Sequence, residues 1–309
     1  MTINGNPEFA QAYRSALVNS HRWDDFKVRD DDIVITTSYK AGTTWMQGIC
    51  AALVFQAPEP PLPQDALTPW LDANFGPIDE VLAQLEGLQN RRYIKSHLPL
   101  DGIPFFDEIK YIFVGRDGKD VWMSMWNHWH NMNPQVIDDM NNAPDREGPA
   151  LVHPPEDMSS AFDEWLVRGT YPWENNGYPF WSHLYHASSW WGYRHLPNIL
   201  MVHFDDLLRD TDGEMRRISD YLGIEINEEI WPSLLKGVTF KSMKSNAEKM
   251  APGATEGIWK DTSNFFHKGT NKRWEGVLTD EQVAAYDDLA KRELGAELAQ
   301  WLEFGGRID

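Results

Sequence analysis

Four short runs of β-branched and aromatic residues, Asp32–Thr37, Arg92–Lys95, Lys110–Gly115 and Asn198–His203, stand in order along the chain, separated by helical patterns. Strands that are apolar without alternation are buried on both faces, which is the mark of a parallel sheet. The intervening periodicity predicts helices over Thr43–Gln56, Gly118–Met132, Tyr178–Arg194, Gly213–Leu222 and Asp280–Leu294. A strand-helix alternation of this kind implies an α/β fold of three layers, with a mostly parallel central sheet and helices on both faces.

Two stretches interrupt the pattern: Asn133 to Asp157, rich in Pro, Asn and Asp, and Asn246 to Lys272, rich in Gly, Thr and Lys. Loops of that length usually cover a site or are disordered. Apolar periodic segments continue on both sides with no second compositional regime and no internal repeat. The expectation is one domain over 1–309 with lids at about 133–157 and 246–272. The 309 residues are 42% hydrophobic, enough for a sizeable core, and their 15 tryptophans are more than a core needs, which suggests that some line a pocket, the plain alternative for most of them being aromatic-rich core packing.

Charge narrows the function. Lys and Arg number 28 against 47 Asp and Glu, a formal net charge of −19, which disfavours nucleic acid and anionic membrane as partners. Any bound anion must therefore meet a local positive site. The single cysteine, Cys50, lies in an apolar helical stretch and has no partner for an internal disulfide, so a reducing compartment is expected. The N-terminus lacks a basic start followed by an apolar block, and no run of about 18 apolar residues occurs, so a soluble cytoplasmic protein is expected.

The local positive site is legible after the first strand. In Tyr39-Lys40-Ala41-Gly42-Thr43-Thr44-Trp45 a turn opens a helix whose first N–H groups lack intrahelical partners and, with the helix dipole, attract phosphate or sulfate. Gly42 lets backbone approach, Thr43 and Thr44 add hydroxyls, and Lys40 adds a point charge. The nucleoside-triphosphate loop is not matched, because the lysine precedes the glycine. The plain alternative is a strand-to-helix turn with a threonine cap.

A second strand end carries Gly115-Arg116-Asp117-Gly118-Lys119, with Ser124 two turns along. Arg116 suits a bidentate pair with a second phosphate, the alternative being a surface ion pair with Asp117. Two separated cationic strand ends ask for a ligand with two separated phosphates. A third strand end, Lys95-Ser96-His97-Leu98-Pro99, adds a lysine and a candidate base, His97. In Asn127-His128-Trp129-His130 the histidines lie two apart and face different directions, whereas a zinc-binding helix spaces them by four. No metal site is expected there, and His128, Trp126 and Trp129 are assigned to the wall of an acceptor pocket.

Together these segments resemble the cytosolic sulfotransferase family, whose members move a sulfuryl group from 3′-phosphoadenosine 5′-phosphosulfate (PAPS) to a hydroxyl or amine. The family's 5′-phosphosulfate loop resembles Lys40–Trp45, with Ala41 where serine is usual; its 3′-phosphate segment resembles Arg116 through Ser124; its catalytic strand end is similar to Lys95, His97 and Pro99. Phe162 to Trp191, with Trp181, His183, Trp190 and Trp191, resembles the family's middle segment, and Val238–Lys241 its adenine-contacting stretch. Phe266-His267-Lys268-Gly269 and Trp274 resemble its late glycine loop, with His267 in place of an arginine and Lys272-Arg273 in place of Gly-Asp. The short C-terminal dimer motif is not matched, since Glu275, Asp280 and Ala284 fall where Lys, Val and Glu belong, so oligomeric state stays open.

The resemblance implies a P-loop-NTPase-like sulfotransferase fold and a PAPS cofactor, released as PAP, with no metal required. It implies His97 as the base, Lys40 and Lys95 as charge stabilisers, Thr43 and Thr44 on the 5′-phosphate, Trp45 and Phe240 against the adenine, and Phe204 among the cofactor-binding residues. His267, Lys268 and Gly269 would meet the 3′-phosphate, with Arg273 standing in for the missing arginine. The acceptor implied is a small hydroxylated molecule, a phenol or alcohol. Two other readings stay open at this point: a nucleotide-dependent kinase using Asp117 for magnesium, and a nucleotide-binding module without chemistry.

Overall fold

The four apolar runs are four parallel strands, β1 Ile33–Thr37, β2 Tyr93–Ser96, β3 Lys110–Gly115 and β4 Ile199–His203, hydrogen-bonded in the order β2-β1-β3-β4. The computed structural model describes residues 2–144 and 146–308. Successive strand side chains point to opposite faces, so an apolar run feeds two cores at once. Tyr111 and Phe113 of β3 join one core cluster, and Ile112 and Val114 join the other.

The first cluster packs helices Gly118–Asn131, Met158–Val167, His183–Trp191 and Asp280–Phe304 against the sheet through Trp122, Phe162, Trp190 and Trp301. The second packs Thr43–Phe55, Thr211–Leu222 and Trp231–Gly237 on the opposite face, with Cys50 fully buried among them. Just before β1 and β2, Asp32 and Arg92 form a buried ion pair, Arg92 Nε donating to Asp32 Oδ1 at 2.7 Å. Among the described residues no helix is long and apolar enough to cross a membrane.

Several expected boundaries shift. The helix expected from Tyr178 starts at His183, because Pro179 interrupts the pattern and the Ser182 side chain caps the first turn by accepting from Tyr185 N. The last helix runs on to Phe304, but Gly295, at φ 73°, breaks it just after the expected end at Leu294. The 133–157 stretch is not all loop: Asn133 caps and Pro134 begins the helix Pro134–Asn141. Asn and Pro there are helix-start residues rather than loop filler. The 246–272 stretch likewise holds the short helix Ala247–Met250 and the 3-10 turn Thr262–Phe265.

With the order β2-β1-β3-β4 the chain leaves β1 toward one side and then crosses to the other, so a switch point lies between the carboxyl ends of β1 and β3. Ligands of open α/β sheets bind in that crevice.

Candidate active site

At the end of β1 the chain turns through Lys40, at φ 59°, and Gly42, at φ 123°, before the helix Thr43–Phe55 begins. Gly42 supplies no side-chain cap, so the first N–H groups of this helix are left for an external acceptor. A Cβ at Gly42 would stand 3.0 Å from Phe204 Cδ2 in a conformation L-residues avoid, which explains the glycine. No threonine caps this helix: Thr43 Oγ1 instead lies 2.5 Å from Thr37 Oγ1 at the end of β1. Ala41 is fully buried in the core, so only its backbone is available to a ligand.

Arg116 follows β3 and lies across the crevice. Its Nη1 donates to the Lys40 carbonyl at 3.0 Å, Nε and Nη2 donate to Asn271 Oδ1 at 3.0 and 2.7 Å, and the guanidinium sits 4.1 Å from the centre of the Phe204 ring. No surface ion pair with Asp117 forms. Asp117 is buried and caps the helix Gly118–Asn131 by accepting from Lys119 N, with Lys119 Nζ 3.6 Å away. The carboxylate that a magnesium-dependent kinase would use is thereby committed to structure. The late loop is tied to the same helix by Asp120, which accepts from Lys272 N at 2.9 Å and Arg273 N at 3.2 Å.

The ends of β1 and β2 bring the base candidate beside the lysines. His97 Nδ1 donates to the Thr37 carbonyl at 2.9 Å, which leaves Nε2 as the free lone-pair nitrogen of the neutral ring. Lys95 Nζ lies 4.9 Å from the Trp70 ring centre, and the same indole meets His97 edge-on at 4.9 Å. Trp70 is held in turn by the buried Asp72, which also accepts from Ser96 Oγ at 2.5 Å and Trp23 Nε1 at 3.0 Å. Lys40 Nζ lies 3.1 Å from His128 Nδ1 and 4.5 Å from the centre of the Phe265 ring.

Of these groups, Lys40, Trp70, Lys95, His97, Arg116, His128 and Phe265 open onto one cavity of about 410 Å³. Its lining includes Lys40, Thr43, Thr44, Trp45, Arg116, Ser124, Phe204, Phe240, His267, Lys268, Gly269 and Arg273. Trp129, Met132, Ile137, Met140, Val152, Trp181 and Trp259 make the rest largely apolar. Among the expected wall residues His128 and Trp129 line the cavity, but Trp126 does not: it packs on Trp122 and, with ring centres 4.2 Å apart, on His130. Helical spacing puts Ser124 and His128 on one face and Trp126 on another.

Residues 30–299 match the sulfotransferase domain family. The chain belongs to that family. It is 32% identical to a glycolipid sulfotransferase of Mycobacterium tuberculosis over 96% of this chain and 94% of the relative. It is 28% identical to sulfotransferase 1A1 of Rattus norvegicus over 85% and 84%. The solved mouse sulfotransferase SULT7A1 complexed with PAP shares the fold with a TM-score of 0.67, at 22% identity, covering 91% of this chain and 90% of that one. Retinol dehydratase in complex with androsterone and inactive cofactor PAP does so with a TM-score of 0.68, at 20% identity, covering 90% and 86%.

In this sulfotransferase the cations are the electrostatic signature. Arg116 and Lys95 are buried, Lys40 is partly buried, and no carboxylate among the described residues forms an ion pair with any of them. Burial, with Arg116 and Lys95 nearby, pushes the Lys40 ammonium down to about 7. Burial lowers Lys95 despite Asp65 and Asp72, and brings Arg116 down to about 10. Burial and the two lysines push His97 down to about 3, and burial beside Lys40 holds His128 well below the usual imidazole range. Both rings are neutral at physiological pH.

Sequence patterns missed Trp70, Asp72, Asp120, Asn271 and the ring pair Trp259 and Phe265, all of which reach the site or its supports through tertiary contact. Gly269 lines the cavity, and the structural reason for a glycine there is local: a Cβ would overlap the Phe240 ring.

Proposed function

We propose that this sulfotransferase moves the sulfuryl group of PAPS to a hydroxyl of a small, largely apolar acceptor, with His97 as general base. The observation that carries the reading is the convergence of Lys40, Lys95 and Arg116, cations without carboxylate partners, at strand ends that open into an aromatic cavity. A protein of net charge −19 that keeps buried positive charge unpaired at one place is arranged to receive an anion.

The residues present suit the cofactor. Lys40 and the uncapped helix start at Gly42 to Trp45 suit the 5′ group. Arg116, Ser124, Lys268 and the Gly269 backbone suit a 3′-phosphate, with Arg273 for the arginine missing at His267; Trp45, Phe204 and Phe240 offer faces for adenine. PAPS supplies an activated sulfuryl group and leaves as PAP. His97 takes the acceptor's hydroxyl proton on Nε2 as the new O–S bond forms and the S–O bond to the 5′-phosphate breaks. Its Nδ1–H, held by the Thr37 carbonyl, keeps that lone pair available. Lys40 and Lys95 neutralise the charge that develops, which is where most rate enhancement in such transfers arises.

The chain acts as one domain in which segments 133–157 and 246–272 form a lid. Val136, Ile137, Met140 and Leu151 from the first, and Ile258, Trp259 and Phe265 from the second, exclude water from the transfer. A glycolipid sulfotransferase among the relatives is consistent with an acceptor that is apolar over most of its length.

Calorimetric titration without magnesium, comparing PAP with AMP, tests the cofactor. Binding at least about tenfold tighter for PAP is expected from one charge-assisted contact to the extra phosphate. Equal affinities, or none, would overturn the reading.

A further inference from the structure

His128 has no part in the transfer described so far, yet it stands beside the reacting lysine. With Lys40 charged, as a bound anion makes it, the ammonium only donates, so the neutral imidazole accepts at Nδ1 from Lys40 at 3.1 Å and carries its proton on Nε2. That Nε2–H has no protein partner among the described residues, and the ring lines the cavity, wedged between Trp259 at 4.6 Å and Phe265 at 5.6 Å between centres. His97 has the opposite tautomer, with Nδ1 donating to backbone and Nε2 accepting. Lys95 adds another donor, with no hydrogen-bond partner of its own among the described residues, at the same cavity.

The attacking oxygen of an alcohol cannot use all of these. Its proton goes to His97, one lone pair forms the bond to sulfur, and the other accepts a single hydrogen bond. With Lys95 on the transferring group as proposed above, the His128 Nε2–H is the donor left to be met by a different atom of the acceptor. No aspartate or glutamate lines the cavity among the described residues, so a protonated amine finds no counter-charge, whereas an oxygen acceptor finds a surplus of donors.

Resting on the reading of His97 as base, we propose that His128 is a specificity-determining residue. Its Nε2–H binds a second oxygen adjacent to the reacting hydroxyl, so that the preferred acceptors carry paired oxygens, as in a catechol, a vicinal diol or a sugar ring. The reaction itself is unchanged: one oxygen is sulfated and its neighbour is held.

The test compares a 4-alkylcatechol with the matching 4-alkylphenol, by binding to the PAP-loaded protein and by kcat/KM for sulfuryl transfer. Wild type should favour the catechol by about tenfold, the value of one hydrogen bond in a dry site. His128→Phe keeps an aromatic ring between Trp259 and Phe265 and should bring the ratio close to one, whatever it does to both rates through Lys40. His128→Gln, which can accept from Lys40 and donate onward, should restore part of the preference. A ratio near one in wild type, or an unchanged ratio in His128→Phe, overturns the assignment. Selective binding without transfer to either compound would overturn the transferase reading and leave the role of His128 standing, so the two failures are distinct.

Discussion

Lys40 makes cofactor binding depend on pH in a calculable way. In the ligand-free protein, burial and the neighbouring Arg116 and Lys95 bring its ammonium down to about 7. A bound 5′-phosphate reverses this, because an anion in contact favours the charged lysine and raises its pKa back toward 10 or beyond. Binding therefore takes up a proton above pH 7, and affinity falls as pH rises, by nearly tenfold per unit. Between pH 7 and pH 9 the PAP dissociation constant should rise about 50-fold, or ~2.3 kcal/mol, with about 0.9 of a proton taken up at pH 8. The ligand's own phosphates, with second pKa values of about 6, are already ionised over this range and do not oppose the trend. Calorimetry in two buffers of different ionisation enthalpy measures both quantities. Lys40→Met should bind more weakly at pH 7 and show most of the slope removed. A flat wild-type profile, or an equal slope in Lys40→Met, would refute the assignment of this titration to Lys40.

His97→Ala should lower turnover by about 10²–10⁴-fold and leave PAP affinity nearly unchanged, which single-turnover kinetics and calorimetry separate. Because His97 is held down to about 3 in the ligand-free protein, its imidazole should stay neutral from pH 5 to 7 in an NMR titration of that state, and a titration near 6.5 would contradict its buried environment. Arg116→Ala should weaken PAP by about 10–100-fold and AMP far less, read as the ratio of dissociation constants; equal losses would remove Arg116 from the 3′-phosphate. Gly42→Ala, at φ 123° with Phe204 Cδ2 3.0 Å from the new Cβ, should cost about 1–3 kcal/mol in denaturant unfolding as well as weakening PAP.

Some of this protein could be read along one dimension. Strands buried on both faces must be continuously apolar, so β1 to β4 were placed to within a residue, and the helices after β1 and β3 followed from periodicity, while Phe204–Arg209, directly after β4, did not. The candidate anion site was equally legible, because a strand end, a glycine and the first turn of a helix are neighbours in sequence and their orphan N–H groups need no distant partner. Lys40, Gly42 and Thr43 could be named for that reason, and Arg116 and His97 because each follows a strand at the ligand edge of the sheet. Proline and asparagine were ambiguous, marking a loop in expectation and a helix start at Asn133-Pro134 in fact.

What the tertiary structure alone decided is how distant segments meet. Asp72 reaches Ser96 and Trp23 only because the sheet edge and the N-terminal segment pack together, and Asp120 holds the backbone at Lys272 and Arg273 from about half the chain away. Which side of its helix Trp126 or His128 faces depends on where the sheet and the 246–272 segment sit, and periodicity fixes only that the two differ. The depressed pKa values of Lys40 and His97 belong to the same class, since burial and the meeting of three strand ends exist only in the folded chain. Local sequence encodes groups that can bind an anion; desolvation and convergence, which turn those groups into a reaction site, are properties of the packed molecule.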